Sequence, residues 1–582
     1  MNKFLLLLGI LGCIATMVAQ DPAGDKTRID FVRADDWNYS EKKHPGAQMI
    51  TGNVVFRHDS AYLYCDTAFF YKDINYLEAF SNVRMEQGDT LFIYGDQLYY
   101  NGNERLLRLR NHVRMENNSV TLLTDSFNYD RNLNLAYFFD GGVIIDEEND
   151  LSSVFGQYDP ERKEATFRYN VKLKNPKMDL SSDTLHYNTV SKVATILGPS
   201  EIISDSTLIR SSKGWYNIYN ENAMLLERST IHNKNTLVTG DSICYNRLEG
   251  IAEIFGRMYV NDTLQKAILR GNYGFYNELN ESAWTTDSAL CMDYSTVDTM
   301  YIHADTIRAF TVWGNNPLPL KREKTTQKER DSIVVAKDSI RTWDDYLSSQ
   351  QADSLNRLDS SLIVVNDTMQ QMPLDTIYRK IKAYFGVRIY SDQMQAVCDS
   401  MTISSKDSII NMYQDPIIWS DNKQLFGDFI QIYIGDSTLE KAHVQGYVFS
   451  ADQKDSLHYD QIYGREMFAY FDSQNSLKQI DVNGNVNCIY FPIDDKDSSF
   501  IGMVKCESSF LTMTMKEQKM ERIKLYPEVT GVMKPMINLK SKQMYLDRFA
   551  WYYYIRPLNK YDIYRKRVKK EANSSKKRNK KS

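Results

Sequence analysis

The stretch from Ile50 to Tyr100 reads ITGNVVFRHDSAYLYCDTAFFYKDINYLEAFSNVRMEQGDTLFIYGDQLYY and holds two copies of one unit. In each copy a Gly or Asn turn and a Val open a short strand. A second strand then runs from an Asp to an aromatic residue four positions on: Asp66 to Phe70, then Asp96 to Tyr100. The aromatic anchor recurs at Tyr129, Tyr158, Tyr187, Tyr216, Tyr245 and Tyr276, and each step from Tyr100 to Tyr245 is 29 residues. Self-similarity at a fixed period of this length is the signature of an array in which each unit buries its apolar face on its neighbours.

Strand openings recur at steps of 28–30 residues from Asn53 onward: NVVF at Asn53, NVRM at Asn82, HVRM at His112, GVII at Gly142 and NVKL at Asn170. More divergent copies open at Glu201 and Thr230. Gly52, Asn111, Gly141 and Pro199 precede strands and suit tight reversals. Apolar residues alternate between them, as in Leu91 and Ile93, Phe127 and Tyr129, and Val143 and Ile145. Period two means strands with one buried face. The expected fold is therefore all-β, an array of ~29-residue strand-turn-strand repeats. Two positions before the anchor, Phe127, Leu185 and Ile243 alternate with Gly156, Gly214 and Gly274. This suggests two environments for successive anchor strands, on opposite sheets.

The chain has 582 residues, 42% hydrophobic and 25% charged, with 39 Tyr and 25 Phe against 13 Pro, a bias towards half-buried strands. A formal charge of −5 gives no general attraction to nucleic acid or membrane. Residues 1–20, MNKFLLLLGILGCIATMVAQ, read as a secretory signal peptide, with lipid attachment at Cys13 as the alternative. A lead-in covers 21–49, the first array 50–310, a polar linker or insertion 311–376 with a loose helix between Asp331 and Ser348, and a second, degenerate array 377–564. Residues 565–582 form a basic tail, read as a solvated, disordered end or as a contact for anionic lipid headgroups.

The chain carries 8 His, without HExxH, GxSxG or a P-loop, and its cysteines lack metal-ligand spacing. Cys65, Cys244, Cys291, Cys398, Cys488 and Cys506 read as strand thiols. The recurrent Asp66, Asp96, Asp125, Asp183 and Asp241 invite comparison with the carboxylates of a polysaccharide-cleaving β-helix. Each occupies the same repeat frame, where Asp caps a turn, whereas an acid-base pair needs two carboxylates in one place. No catalytic residue, metal site or cofactor is expected.

The Gly52-Asn53-Val54 turn, Asp66 to Phe70, Ala79 to Val83 and Asp96 to Tyr100 together resemble the OstA-like (organic solvent tolerance) family. That family includes the periplasmic bridge protein of lipopolysaccharide transport (Lpt) and the N-terminal domain of its outer-membrane partner. The likeness is good from Ile50 to about Asp140, weaker to Phe310 and faint after Ile377. It implies an open β-jellyroll and a non-enzymatic periplasmic protein of a Gram-negative envelope, free or attached to the outer membrane. Lipopolysaccharide or a related glycolipid would be its cargo, and other β-jellyroll proteins its partners through edge-strand pairing, with no nucleic acid involved. On this pattern Val54, Phe56, Leu63, Phe70, Leu98, Tyr100, Val120, Leu122, Phe127 and Tyr129 line a lipid groove. On the residues alone they equally fill a dry core. The chain is roughly three times as long as one bridge domain, and the residues after Ile377 are too few for a very large barrel. A structural or adhesive envelope β-solenoid without lipid cargo is the alternative.

Overall fold

The computed structural model describes residues 28–565, apart from 40–44, 147, 297, 313–377, 436–437, 475, 495–496, 498 and 517–518. The expected signal peptide, Cys13, nearly all of the 311–376 insertion with its helix, and the tail beyond residue 565 lie outside the described residues. Two compact units divide the described chain, one up to Tyr169 and one from Asn170 onward. Both are all-β, built from antiparallel strands in a meander, as the alternation implied.

The repeating element is a long strand bent at its middle. In Gln48–His58 the pairing to Ala61–Tyr71 skips between Thr51 and Val54. The same skip occurs between Phe80 and Val83 and between Arg110 and Val113. At each skip two consecutive residues take left-handed φ: Gly52 and Asn53 (79° and 46°), Ser81 and Asn82 (64° and 52°), Asn111 and His112 (61° and 48°). Gly52, Asn111, Gly141 and Pro199 are thus corners within a continuing course of chain, and the reversals expected there lie elsewhere, for example at Asp59-Ser60. Left-handed residues serve bulges as readily as turns, which is why the two look alike in sequence. At Gly52 a side chain is also excluded sterically, since a Cβ would stand 2.5 Å from the Asp35 carboxylate.

Each corner divides a strand into two limbs that face one another across an apolar interior. We call the limb containing the aromatic anchor the A limb and the other the B limb. Phe56 of a B limb meets Phe70 of an A limb with ring centroids 5.1 Å apart. The recurrent Asp residues hold the corners from outside. Asn53 Nδ2 donates to Asp35 (2.8 Å), Asn82 Nδ2 to Asp66 (2.6 Å), and His112 Nδ1 lies 2.7 Å from Asp96. Arg257 donates to Asp241 at 2.9 Å and holds that carboxyl below its usual range.

Register places the anchors of each unit in one row. In the first unit Phe70, Leu77, Tyr100, Leu107, Tyr129, Ala136, Tyr158 and Ala165 are successive cross-strand partners. In the second, Tyr187, Ala194, Tyr216, Ala223, Tyr245, Ala252, Tyr276 and Ala283 continue the same alternation. The expectation of two environments on opposite sheets is therefore wrong. At Gly156 the small residue is a matter of size: it lies opposite Phe138, whose ring would stand 2.3 Å from a Cβ at that position, whereas at Gly214, with φ at 145°, a Cβ would run into the backbone O of Met224. A large residue on one strand takes the space left by none on the next.

After Ala309 the row turns aliphatic, through Ile381, Ile403, Ile410 and Ile432. Met300–Val312 and Tyr378–Tyr384 are themselves paired, Val312 opposite Tyr378 and Thr306 opposite Tyr384. Val312 and Tyr378, which flank the undescribed residues, thus lie on adjacent strands of the second unit.

Residues 536–565 end the described chain as a strap with short 3-10 turns, lying on the outer face of B limbs in the second unit. Its backbone is read by buried glutamines in one cross-strand row. Gln461 donates to Met544 O (2.8 Å) and accepts from Leu546 N (2.9 Å). Gln424 donates to Ala550 O (2.8 Å) and accepts from Tyr552 N (2.8 Å). Gln395 accepts from Arg556 Nε at 2.8 Å. Met544 and Leu546 pack with Phe449, Phe491 and Met503, flanked by Phe549 and Trp551. Buried polar groups need partners, and the strap supplies them.

Candidate functional site

The interior between the limbs is where chemistry and packing concentrate. All ten residues expected to line a groove are there, each at most 6% exposed. Val54, Phe56, Leu63, Val120 and Leu122 come from B limbs, and Phe70, Leu98, Tyr100, Phe127 and Tyr129 from A limbs. The two limb sets thus contribute to one apolar interior, as period two requires once a strand is folded at its corner.

This interior is packed. Phe56, Leu63 and Tyr100 border a cavity of about 20 Å³ together with Ile29, Leu77, Met85, Leu107 and Arg131. That is room for one water and not for an acyl chain. The row of tyrosines is amphipathic: rings point inward and hydroxyls reach the free margin of the limbs. Tyr129 donates to Asn134 Oδ1 at 2.6 Å, and burial pushes its pKa up to about 12. At the same margin Arg131 donates to Tyr100 Oη (2.7 Å), His58 O (3.3 Å) and Gln87 Oε1 (3.4 Å). Sequence reasoning did not single out Arg131, because a charged residue in a turn reads as solvated.

The corner aspartates form no catalytic constellation. Asp66 and Asp96 sit on the exterior, each paired with the corner that opens the next repeat. Among the described residues no group of three or more His, Cys, Asp or Glu is placed to hold a metal ion. No helix of the described chain is long and apolar enough to cross a membrane.

The six described cysteines lie on the strands as free thiols, with Cys65, Cys291, Cys398 and Cys488 buried. Burial pushes Cys65 and Cys291 up to about 12. The thiolate is the reacting species, so both are expected to resist alkylation at pH 8 until the protein is unfolded. Mass spectrometry after a timed iodoacetamide pulse checks this, and rapid native labelling of either would contradict the packed interior.

Residues 26–183 match the family model described as OstA-like protein. The match spans the bent strands of the first unit and extends into the second. At the level of the family this points to lipid and lipopolysaccharide transport at the cell envelope, in a transport and binding family and not an enzymatic one. No curated protein matches the chain.

Proposed function

We propose that this chain, OstA-like over residues 26–183, is a non-enzymatic periplasmic protein that binds lipopolysaccharide-type glycolipid and contributes to outer-membrane assembly. The observation that carries this reading is the coincidence of the family match with two facing limb sets whose inward rows are apolar without interruption, Phe70 to Ala165 on the A limbs. Acyl chains inserted between the limbs would gain about 0.8 kcal/mol per buried CH₂. Side chains fill the interior, so binding requires the limbs to part. Partner jellyroll domains would pair with terminal strands, whose backbone groups form a template for a further strand. Thr530–Pro535 is such a strand, five of its six residues exposed.

The reading is tested by deleting the gene and measuring outer-membrane permeability. Entry of detergent and of large hydrophobic antibiotics is expected to rise, with restoration by the intact chain. A structural envelope solenoid without cargo would leave lipopolysaccharide display at the surface unchanged, and that result would displace the transport reading.

A further inference from the structure

The two limbs of each strand are joined covalently at the corner, so in each unit the interior has a non-covalent margin, opposite the corners. Along that margin the reversals that end A limbs come against the reversals that end B limbs. Among the described residues, several such meetings are made by a cation and its partner. In the first unit Arg105 and Arg131, at A-limb reversals, both face Asp59 at a B-limb reversal, at 3.1 and 3.7 Å. Lys163 reaches Asn117 in the same way at 3.4 Å. In the second unit Lys177 pairs with Glu221 at 2.8 Å, Arg247 bridges Glu221 and Asp205, and Arg379 pairs with Asp262 at 2.8 Å.

Part of this set is desolvated, although Asp59 and Asp205 keep 24% and 69% exposure. The Arg131, Arg247 and Glu221 side chains are 6%, 5% and 3% exposed. Burial works against the charge on Arg247, and its bonds to Glu221 and Asp205 outweigh it, holding the guanidinium pKa above normal. A desolvated ion pair roughly breaks even against its solvation cost, yet removing one partner leaves a costly lone charge. Such pairs close a seam specifically while adding little net stability, and an incoming anion can take over the cation as the carboxylate returns to water.

We propose that this margin is a charge-latched seam. It opens about the corners to admit an amphiphile with an anionic headgroup, whose charge replaces the latch carboxylates on Arg105, Arg131, Lys177, Arg247 and Arg379. The nature of the cargo rests on the transport reading, whereas the latch itself does not.

Cys291 is a native reporter for the Arg379–Asp262 latch, since it is buried and close enough to Arg379 to feel its charge. In the full-length protein, Arg379→Met is expected to raise the alkylation rate of Cys291 at least about tenfold, as local opening becomes cheaper. Cys65, in the other unit, should keep its rate and serves as the internal control. The exchanged pair, Arg379→Asp with Asp262→Arg, should return Cys291 to near the parent rate, which separates a latch from a merely damaged fold. A Cys291 rate unchanged in Arg379→Met, or unrestored by the exchange, overturns the latch. A dansyl-labelled fatty acid should bind the parent protein more tightly than the corresponding neutral alcohol. Equal binding of the two overturns the headgroup role of the seam cations. Opening of the seam with no uptake of either probe would retain the latch and remove the lipid reading.

Discussion

Ending the chain after Pro535 is expected to lower the melting temperature of the second unit by on the order of 10 °C and to make the protein aggregate. The strap carries Met544, Leu546 and Ile563, all buried. At ~1.5–3 kcal/mol for each fully buried side chain, these three alone contribute on the order of 5 kcal/mol. One kcal/mol corresponds to roughly 2–4 °C in a unit of this size or somewhat smaller. Loss of the strap would also uncover Trp419, Phe449 and Phe491, side chains that are fully buried in the intact protein. A contiguous apolar patch of that kind drives association. Calorimetry of this truncation, beside a control ending after Arg565, measures the effect. The control should melt like the parent. Gln461→Leu probes the same contact more finely, because it leaves Met544 O and Leu546 N buried without partners at a cost of about 1–3 kcal/mol each. An unshifted melt in the truncation would mean that the strap merely rests on the sheet.

The second large effect is expected at Gly156. A Cβ there would meet the Phe138 ring at 2.3 Å, and Phe138, Phe127 and Phe167 are themselves fully buried. Gly156→Val should destabilise the first unit by about 3 kcal/mol or more, since overpacking a dense core forces side chains and backbone to shift. Phe138→Ala alone should cost about 3–5 kcal/mol by leaving a cavity. The two changes together should cost clearly less than their sum, because each relieves the other's defect. Such coupling is expected only of residues in contact, and urea unfolding of the three variants measures it. Strict additivity would contradict the size complementarity between Gly156 and Phe138.

Much of this architecture is legible in the residues themselves. The 29-residue step and the alternation of Leu91 with Ile93 or Phe127 with Tyr129 identify paired strands with one buried face, because strand geometry has period two. The ten inward residues follow from that pattern and lie where it places them. Corners were misread as reversals because Gly52-Asn53 and Asn111-His112 supply left-handed residues that suit either. Only the register of both neighbours, continuing past the skip, tells a bulge from a turn. Two environments are expected for the anchors because a strand Gly such as Gly156 reads as a bend, a bulge or a close backbone approach. Its neighbour Phe138 lies 18 residues earlier and explains it.

The strap and the seam were not legible, for one physical reason. Gln395, Gln424 and Gln461 in strands look like solvent-facing residues, and only the return of the chain more than 80 residues after Gln461 makes them interior. Arg131 meets His58 across 73 residues. Local periodicity carries no information about contacts made by chain ends and turns that come together only when the limbs fold over.

The central claim is that the space between the limbs receives acyl chains. Photo-crosslinking amino acids placed in cells at Leu63, Leu98 and Leu122, which face that space, and at Lys72 and Asn103, which face solvent, test it most directly. The account requires lipopolysaccharide adducts at the three interior positions and none at the two exterior ones. Adducts confined to Lys72 and Asn103, or absent from all five in cells actively exporting lipopolysaccharide, would contradict it.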